Sequence, residues 1–509
     1  MILARRFVIA AFVVFASCFY FPAKLRAQRS SADDVIVLHN VSVVDVRNGA
    51  VLAGRTLAIR GDRIDAVEES DATKYTKNAR SIDCNGLYAI PGLWDMHVHL
   101  VFGNWFPGAK NISLPLFVAN GVTGVRDMGS ELEVVQGWRR EIEAGKLIGP
   151  RIYSSGPMLD GPKPRFPSSV AIATAEDGRR AVDDLKRRGT DFIKLQSLIP
   201  REAVFAIADE AKKEGIAFEG HVPDAVRASE MSAAGMKSFE HLIGIFEGSS
   251  PDEGDFLRGN KTEARFLASY DAKRGADLAA ILAQNFTWQC PTLVWERGGN
   301  LIDVTDFAAD ARAKYVPAAW KDKTWKRFRE EIAQGYGSDD LEIRKKFVAK
   351  ELEVVRMLHQ NGVPFLAGTD TPAGVYIFPG FSLHEELQRL VAAGFSPLEA
   401  LQTATINPAR FFGAESELGT VERGKIADLV LLRANPLADI GNTQRIAAVI
   451  AGGRYFSRKD LDGILAVVER DAGGEGTRNG TKLIGGVIKR KYVAPGEKLL
   501  PEAGSGHTR

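Results

Sequence analysis

Between residues 90 and 414 the chain repeats one unit, a short apolar run followed by an amphipathic stretch of helical period. The runs end at His99, Asp127, Tyr153, Lys194, His221, His241, Thr292 and Asp370, and stretches such as Ala175–Arg188, Arg201–Glu214 and Lys346–Gln360 lie between them. Eight strands alternating with helices resolve most economically as an α/β fold with a parallel (β/α)8 TIM barrel. In such barrels catalytic groups gather at the C-terminal ends of the strands. That is where this chain places its histidines, a lysine and its aspartates.

The flanks are different. From Asp34 to about Ala89 branched residues alternate with polar ones around a Gly61-Asp62 turn, the pattern of antiparallel sheet. Similar material returns at Lys425–Leu432 and Ile446–Arg454. Residues 28–89 and 415–458 are therefore expected to form one composite β-sandwich domain around a barrel of residues 90–414. The connection 294–345 is oversized and carries three of the seven tryptophans (Trp295, Trp320, Trp325) with Tyr315, Phe328 and Tyr336. It reads as a helical insertion with its own small core, or as a lid over the barrel mouth. Residues 459–509 read as a C-terminal helix and a flexible tail, Gly-rich from Gly473.

Arg5 and Arg6 precede an almost wholly apolar Phe7–Phe21, and Leu25-Arg26-Ala27 precedes Gln28. Residues 1–27 thus read as a secretory signal peptide, with a secreted or periplasmic mature chain. Lipoprotein processing at Cys18 and an uncleaved anchor are the alternatives. Without that segment the formal charge moves from +2 to −2, because four cations and no acids leave. A nucleic-acid partner then has no electrostatic support, and a small-molecule substrate is expected. A homo-oligomer is left open. Cys84 and Cys290 are expected as buried free thiols.

The chemistry concentrates in a few residues. His97 and His99 end the first run two residues apart, so a strand turns both imidazoles to one face, roughly 7 Å apart, as half of a metal site. Lys194 lies in Asp191-Phe192-Ile193-Lys194-Leu195, and a buried ammonium must be paired, neutral or modified. A neutral amine can capture carbon dioxide as a carbamate. His221 and His241 end matching runs. Asp370 closes Pro364–Asp370, able to ligate a metal and take a proton, or simply to cap a helix. Ser382 and Glu385 have capping-box spacing around His384, which is a support for the ligands, a substrate contact or helix surface. Asp95, Arg126 and Asp127 lie near strand ends as supports for ligands, and Arg126 is also a candidate substrate contact.

Together these residues resemble the amidohydrolase superfamily, in its imidazolonepropionase-like and prolidase-like branch. The motifs run from Pro91-Gly92-Leu93 and Asp95-x-His97-x-His99 through Asp191-Phe192-Ile193-Lys194, Phe239-Glu240-His241 and Ala367-Gly368-Thr369-Asp370 to Gly419–Asp428 and Asn435-Pro436-Leu437. The resemblance implies two divalent metal ions, usually zinc. His97, His99 and Asp370 would hold one, His221 and His241 the other, and a CO2-derived carbamate on Lys194 would bridge them. It implies a metal-bridging hydroxide attacking an amide carbonyl, with Asp370 passing the proton to the leaving nitrogen. Two departures stand out: relatives acting on dipeptides often carry tyrosine where this chain has Pro223, and glycine where it has Leu242. The expected activity is hydrolysis of a C–N amide bond in a peptide-like or N-acyl amino acid substrate. A mononuclear hydrolase opening a cyclic amide or lactone is the alternative, and a non-catalytic binding protein on the same scaffold is a third reading.

Overall fold

The computed structural model describes residues 35–69, 79–302, 304–306, 309–327, 329–330 and 340–474. The expected signal peptide, Cys18, Phe328, Tyr336 and the tail beyond residue 474 lie outside them. Among the described residues no helix is long and apolar enough to cross a membrane.

The flanking segments meet in one eight-stranded sheet. Its N-terminal strands are β1 (Val35–Asp45), β2 (Ala50–Arg60), β3 (Arg63–Glu69), β4 (Ala79–Asp83) and β5 (Tyr88–Pro91). The sheet is completed by β15 (Leu429–Leu432), β16 (Ile446–Ala451) and β17 (Arg454–Ser457) in the order β17-β16-β15-β5-β1-β2-β3, with β4 beside β1. The seam between the two ends of the chain is β5 against β15, antiparallel, with Ile90 opposite Val430.

The sheet curls around its own apolar core of Leu38, Val43, Leu57, Ile59, Leu429 and Ile450. Its far edge returns to the C-terminal strands: Ile64 N donates to Lys425 O at 2.9 Å and Ala427 N to Asp62 O at 2.8 Å. That closure gives the sandwich. It also explains Gly453, whose φ is +75° and where a Cβ would sit 1.8 Å from Gly61 O.

The barrel strands are β6 (Leu93–Val98), β7 (Val122–Asp127), β8 (Arg151–Ser154), β11 (Ile193–Leu195), β12 (Phe218–Gly220), β13 (Ser238–Glu240) and β14 (Trp288–Cys290). β6-β7-β8 and β11-β12-β13-β14 are parallel ladders, and β6 and β7 are buried at every position. Full burial is what helices on the outer face and side chains in the interior require. Two short strands were not expected, β9 (Met158–Asp160) and β10 (Ser169–Ala171), which extend the second ladder beside β11.

The eighth run departs from a regular strand. Phe365 bridges Gln289 and Thr371 bridges Val98, both in parallel. Between them Met96 N donates to Ala367 O at 2.9 Å and Asp370 N to His97 O at 2.7 Å. Gly368 and the left-handed φ of Asp370 (+62°) interrupt the ladder, yet the barrel closes. A Cβ on Gly368 would fall 2.5 Å from Cys290 Sγ and 2.8 Å from His97 Cβ, so glycine is what lets this segment lie against β6.

Helix Ala175–Arg188 has the expected ends, with a Thr174–Asp177 capping box and left-handed Gly189. The Ser382–Glu385 box does not form. The helix there begins at Phe381, so Ser382 already lies inside it and its hydroxyl accepts from Phe378 N at 2.9 Å.

Gly453→Ala should cost about 2 kcal/mol, because both the clash and the left-handed backbone penalise a side chain. Chemical denaturation checks this, and an unchanged midpoint would contradict the account of how the sandwich closes.

Candidate metal centre

The barrel interior carries charge. Asp95, His97, Arg126, Lys194, Glu219 and Glu240 are each 0% exposed, and Asp370 is 6% exposed. Desolvating such groups is expensive unless each finds a partner.

The four barrel histidines converge. Ring centroids lie 5.6 Å apart for His97–His99, 4.6 Å for His97–His241 and 5.0 Å for His221–His241. Each has its Nδ1 engaged by the protein. His97 Nδ1 donates to Glu240 Oε2 at 2.8 Å, and His99 Nδ1 to Gly129 O at 3.1 Å. His221 Nδ1 shares a hydrogen bond with Ser197 Oγ at 3.0 Å, and His241 Nδ1 with Thr292 Oγ1 at 2.6 Å. This fixes the ring orientations and leaves every Nε2 as the remaining donor atom.

Asp370 Oδ1 stands 3.2 Å from His97 Nε2 and 3.1 Å from His99 Nε2, and Oδ2 stands 3.9 Å from His241 Nε2. Yet His97 Nε2, Asp370 Oδ1 and Lys194 Nζ are buried without a hydrogen-bond partner. Lone pairs facing a common point without hydrogen-bond geometry suit a cation, and His97, His99 and Asp370 have ligand atoms within 4.8 Å of one another. The donor set fits a divalent metal.

Burial sets the protonation states. It pushes Lys194 down to about 8, with Glu240 and Asp370 partly offsetting it. It lowers His241 to about 3 and His221 well below the ordinary imidazole value. Neutral imidazoles and a readily deprotonated amine are the forms that metal ligation and carbamate formation need. Burial alone would raise Asp370 and Glu240, but His97 and its neighbours outweigh it at Asp370, and Arg126 with His97 at Glu240, so both carboxyls are held low.

The backbone is strained here. His241 (φ +63°), Leu242 (+61°), Thr292 (+47°) and Asp370 (+62°) are all left-handed without being glycine. The Gly220 φ of +128° and its missing Cβ, which would meet Leu195 O at 2.4 Å and Lys194 Cδ at 2.7 Å, leave room for the lysine stem.

Other expected residues serve elsewhere. Arg126 is not a substrate contact: its guanidinium is sealed between Glu219 (2.8 Å), Glu240 (2.9 and 3.0 Å) and Met96 O (2.5 Å). His384 is neither a substrate contact nor helix surface. It is 1% exposed, with Nδ1 bonded to Thr443 Oγ1 at 2.9 Å and Nε2 to Asn120 O at 3.0 Å. Asp127 fastens the loop after β6 through Leu100 N and Ser130 Oγ. Asp95 accepts from Thr369 N at 3.0 Å and Thr369 Oγ1 at 2.7 Å, tying β6 to the eighth segment.

Glu219 and Glu240 were missed, although each lies one or two residues before a singled-out histidine in an otherwise apolar run. Trp295, from the long connection, packs its ring 5.3 Å from His241, and Phe102 lies 4.8 Å from His99. The connection also reaches the loop after β6, where Trp320 Nε1 donates to Pro107 O at 2.9 Å and Thr324 Oγ1 to Trp105 O at 2.7 Å. Its described residues thus join an apolar cluster and contact both the histidine cluster and the loop after β6.

A parallel barrel with convergent imidazoles at its strand ends defines a metal-dependent hydrolase scaffold. The profile of the amidohydrolase family matches residues 88–455, and the chain belongs to that family. It is 24% identical over 437 residues to an adenine deaminase from Ruegeria sp. (strain TM1040), covering 85% of this chain but 58% of that protein. It thus spans little more than half the length of that relative. An imidazolonepropionase from Symbiobacterium thermophilum is 25% identical, covering 76% of this chain and 85% of the relative. Among solved structures, bottromycin amidohydrolase superposes with a TM-score of 0.67 at 23% identity, covering 86% of this chain and 90% of that one. That likeness is one of fold.

His384 generates a pH test. Burial lowers its folded pKa to about 4, below the ordinary value of 6.5. The unfolded chain therefore takes up the proton first. The resulting stability is complete above pH 6.5, declines as pH falls towards 4, and amounts to about 3 kcal/mol. His384→Gln should be less stable at pH 7 and lose less between pH 7 and pH 4.5, as read from urea midpoints. An equally steep decline would refute a buried neutral imidazole.

Proposed function

We propose that the chain hydrolyses a C–N amide bond in a peptide-like or N-acyl amino acid substrate, using divalent metal held by His97, His99, Asp370, His221, His241 and Lys194. The observation that carries this is the uniform state of the four imidazoles, each with Nδ1 tied back and Nε2 left as donor, around buried, unpartnered atoms of Lys194 and Asp370. Bound there, a divalent ion such as zinc would acidify water and polarise a carbonyl.

The chain's own residues do the rest. Lys194 as a carbamate would offer two oxygens to paired ions, which explains a lysine placed where an ammonium has no partner. Asp370 presents Oδ1 to His97 and His99, leaving Oδ2 to accept the proton of the attacking water and deliver it to the leaving nitrogen. Phe102 and Trp295, flanking the histidines, exclude bulk water. The imidazolonepropionase likeness supports a second reading, opening of a cyclic amide, in which a single ion suffices and Lys194 stays unmodified. We also propose export of the mature chain, on the strength of residues 1–27.

Purified protein should contain about two metal ions per chain, and Lys194→Ala should lose activity together with at least one of them, by elemental analysis and turnover of dipeptide, N-acyl amino acid and cyclic amide panels. Full activity in that variant would reject the bridging role. Activity confined to cyclic amides with one ion would favour the second reading.

A further inference from the structure

Arg126, Glu219 and Glu240 form a fully buried ion cluster inside the barrel. Such clusters seldom stabilise a fold more than apolar residues of the same volume would. This one meets the histidine cluster through the hydrogen bond from His97 Nδ1 to Glu240 Oε2 at 2.8 Å. The other three barrel imidazoles lean on neutral groups, namely a carbonyl and two hydroxyls.

The geometry points to Arg126 and Glu240 as a positioning couple for the metal held by His97, an inference that rests on the metal-dependent reading above. The carboxylate cannot turn away. Its Oε1 accepts from Arg126 Nη2 at 2.9 Å and from Ser238 Oγ at 2.6 Å, and its Oε2 accepts from the same Nη2 at 3.0 Å and from His97. The guanidinium is pinned in turn by Met96 O, the carbonyl preceding His97. An imidazole that donates to an ionised carboxylate keeps its proton on Nδ1 and becomes a more basic ligand at Nε2. His97 is thus the strongest imidazole donor of the four, and the ion it holds is the more tightly bound.

Glu219 supplies an internal control. It binds the same guanidinium at 2.8 Å but hydrogen-bonds no imidazole. Glu240→Gln and Glu219→Gln each remove one carboxylate from Arg126, so they share the cost of a poorly compensated buried cation. Only the first alters His97.

The test measures zinc affinity of the full chain by competition with a chromophoric chelator, and the rise in melting temperature on adding zinc. Glu240→Gln is expected to weaken zinc binding by about 10- to 100-fold and to shrink the zinc-induced rise, while Glu219→Gln keeps the wild-type affinity. Arg126→Lys, which retains charge but loses the fork, should fall between them. Equal losses in both glutamine variants, or none in Glu240→Gln, would overturn the assignment. Should Glu240→Gln not fold, Ser238→Ala removes one of the two hydrogen bonds that hold Oε1 and is expected to give a smaller loss in the same direction; unchanged affinity there overturns the assignment too. A wild-type chain that binds no zinc would defeat the metal reading and this inference with it.

Discussion

The barrel interior must reconcile apolar closure with a surplus of buried carboxylates. Asp95, Asp127, Glu219, Glu240 and Asp370 share that space with two basic side chains, Arg126 and Lys194. Protonation relieves part of the imbalance, since burial raises Asp95 to about 8 and raises Asp127 as well. Arg126 neutralises most of what remains, through Glu219 and Glu240. Asp370 is left facing the His97 and His99 rings, with Lys194 buried nearby, and such a donor set suits a divalent cation.

That balance also explains the local backbone. A carboxylate and an imidazole at adjacent strand ends aim at one point only if the chain turns sharply after each strand. His241 and Asp370 achieve this in the left-handed region, and Thr292, which holds His241 Nδ1, does so as well. Leu242 follows in the same conformation where glycine would cost less, so the strain is retained against the local preference. Asp370 N bonded to His97 O at 2.7 Å and Asp95 bonded to Thr369 show how β6 and the closing segment carry it. The irregularity of the eighth strand and the geometry of the ligands are one feature.

Much of this was legible from residue order. Apolar runs ending in His99, Lys194, His221 and His241 mark barrel strands because parallel strands are buried on both faces and break where polar chemistry begins. The sheet seam was legible because matching alternation recurs at both ends of the chain. Other features were not. Glu219 and Glu240 look like solvated strand residues until the barrel turns them inward onto Arg126, a partner about 100 positions away. His384 looked like a surface or substrate residue because nothing nearby in the sequence reveals Asn120 and Thr443, and the Ser382 box failed because a helix start two residues earlier changes the role of that hydroxyl.

The long connection after β14 joins these levels. Its first turn delivers Trp295 to His241, and its later aromatics anchor on the loop that carries Phe102 to His99. The Glu386 carboxylate caps that first turn from the helix Phe381–Ala392, accepting from Leu293 N at 3.0 Å and Val294 N at 2.9 Å. One insertion therefore touches His241 directly, meets the loop that carries Phe102 to His99, and is itself held by the helix that follows the barrel-closing segment. Phe102, Trp105 and Trp295 thus form an aromatic surround supported by loops, whereas the ligands' positions are fixed by the barrel itself.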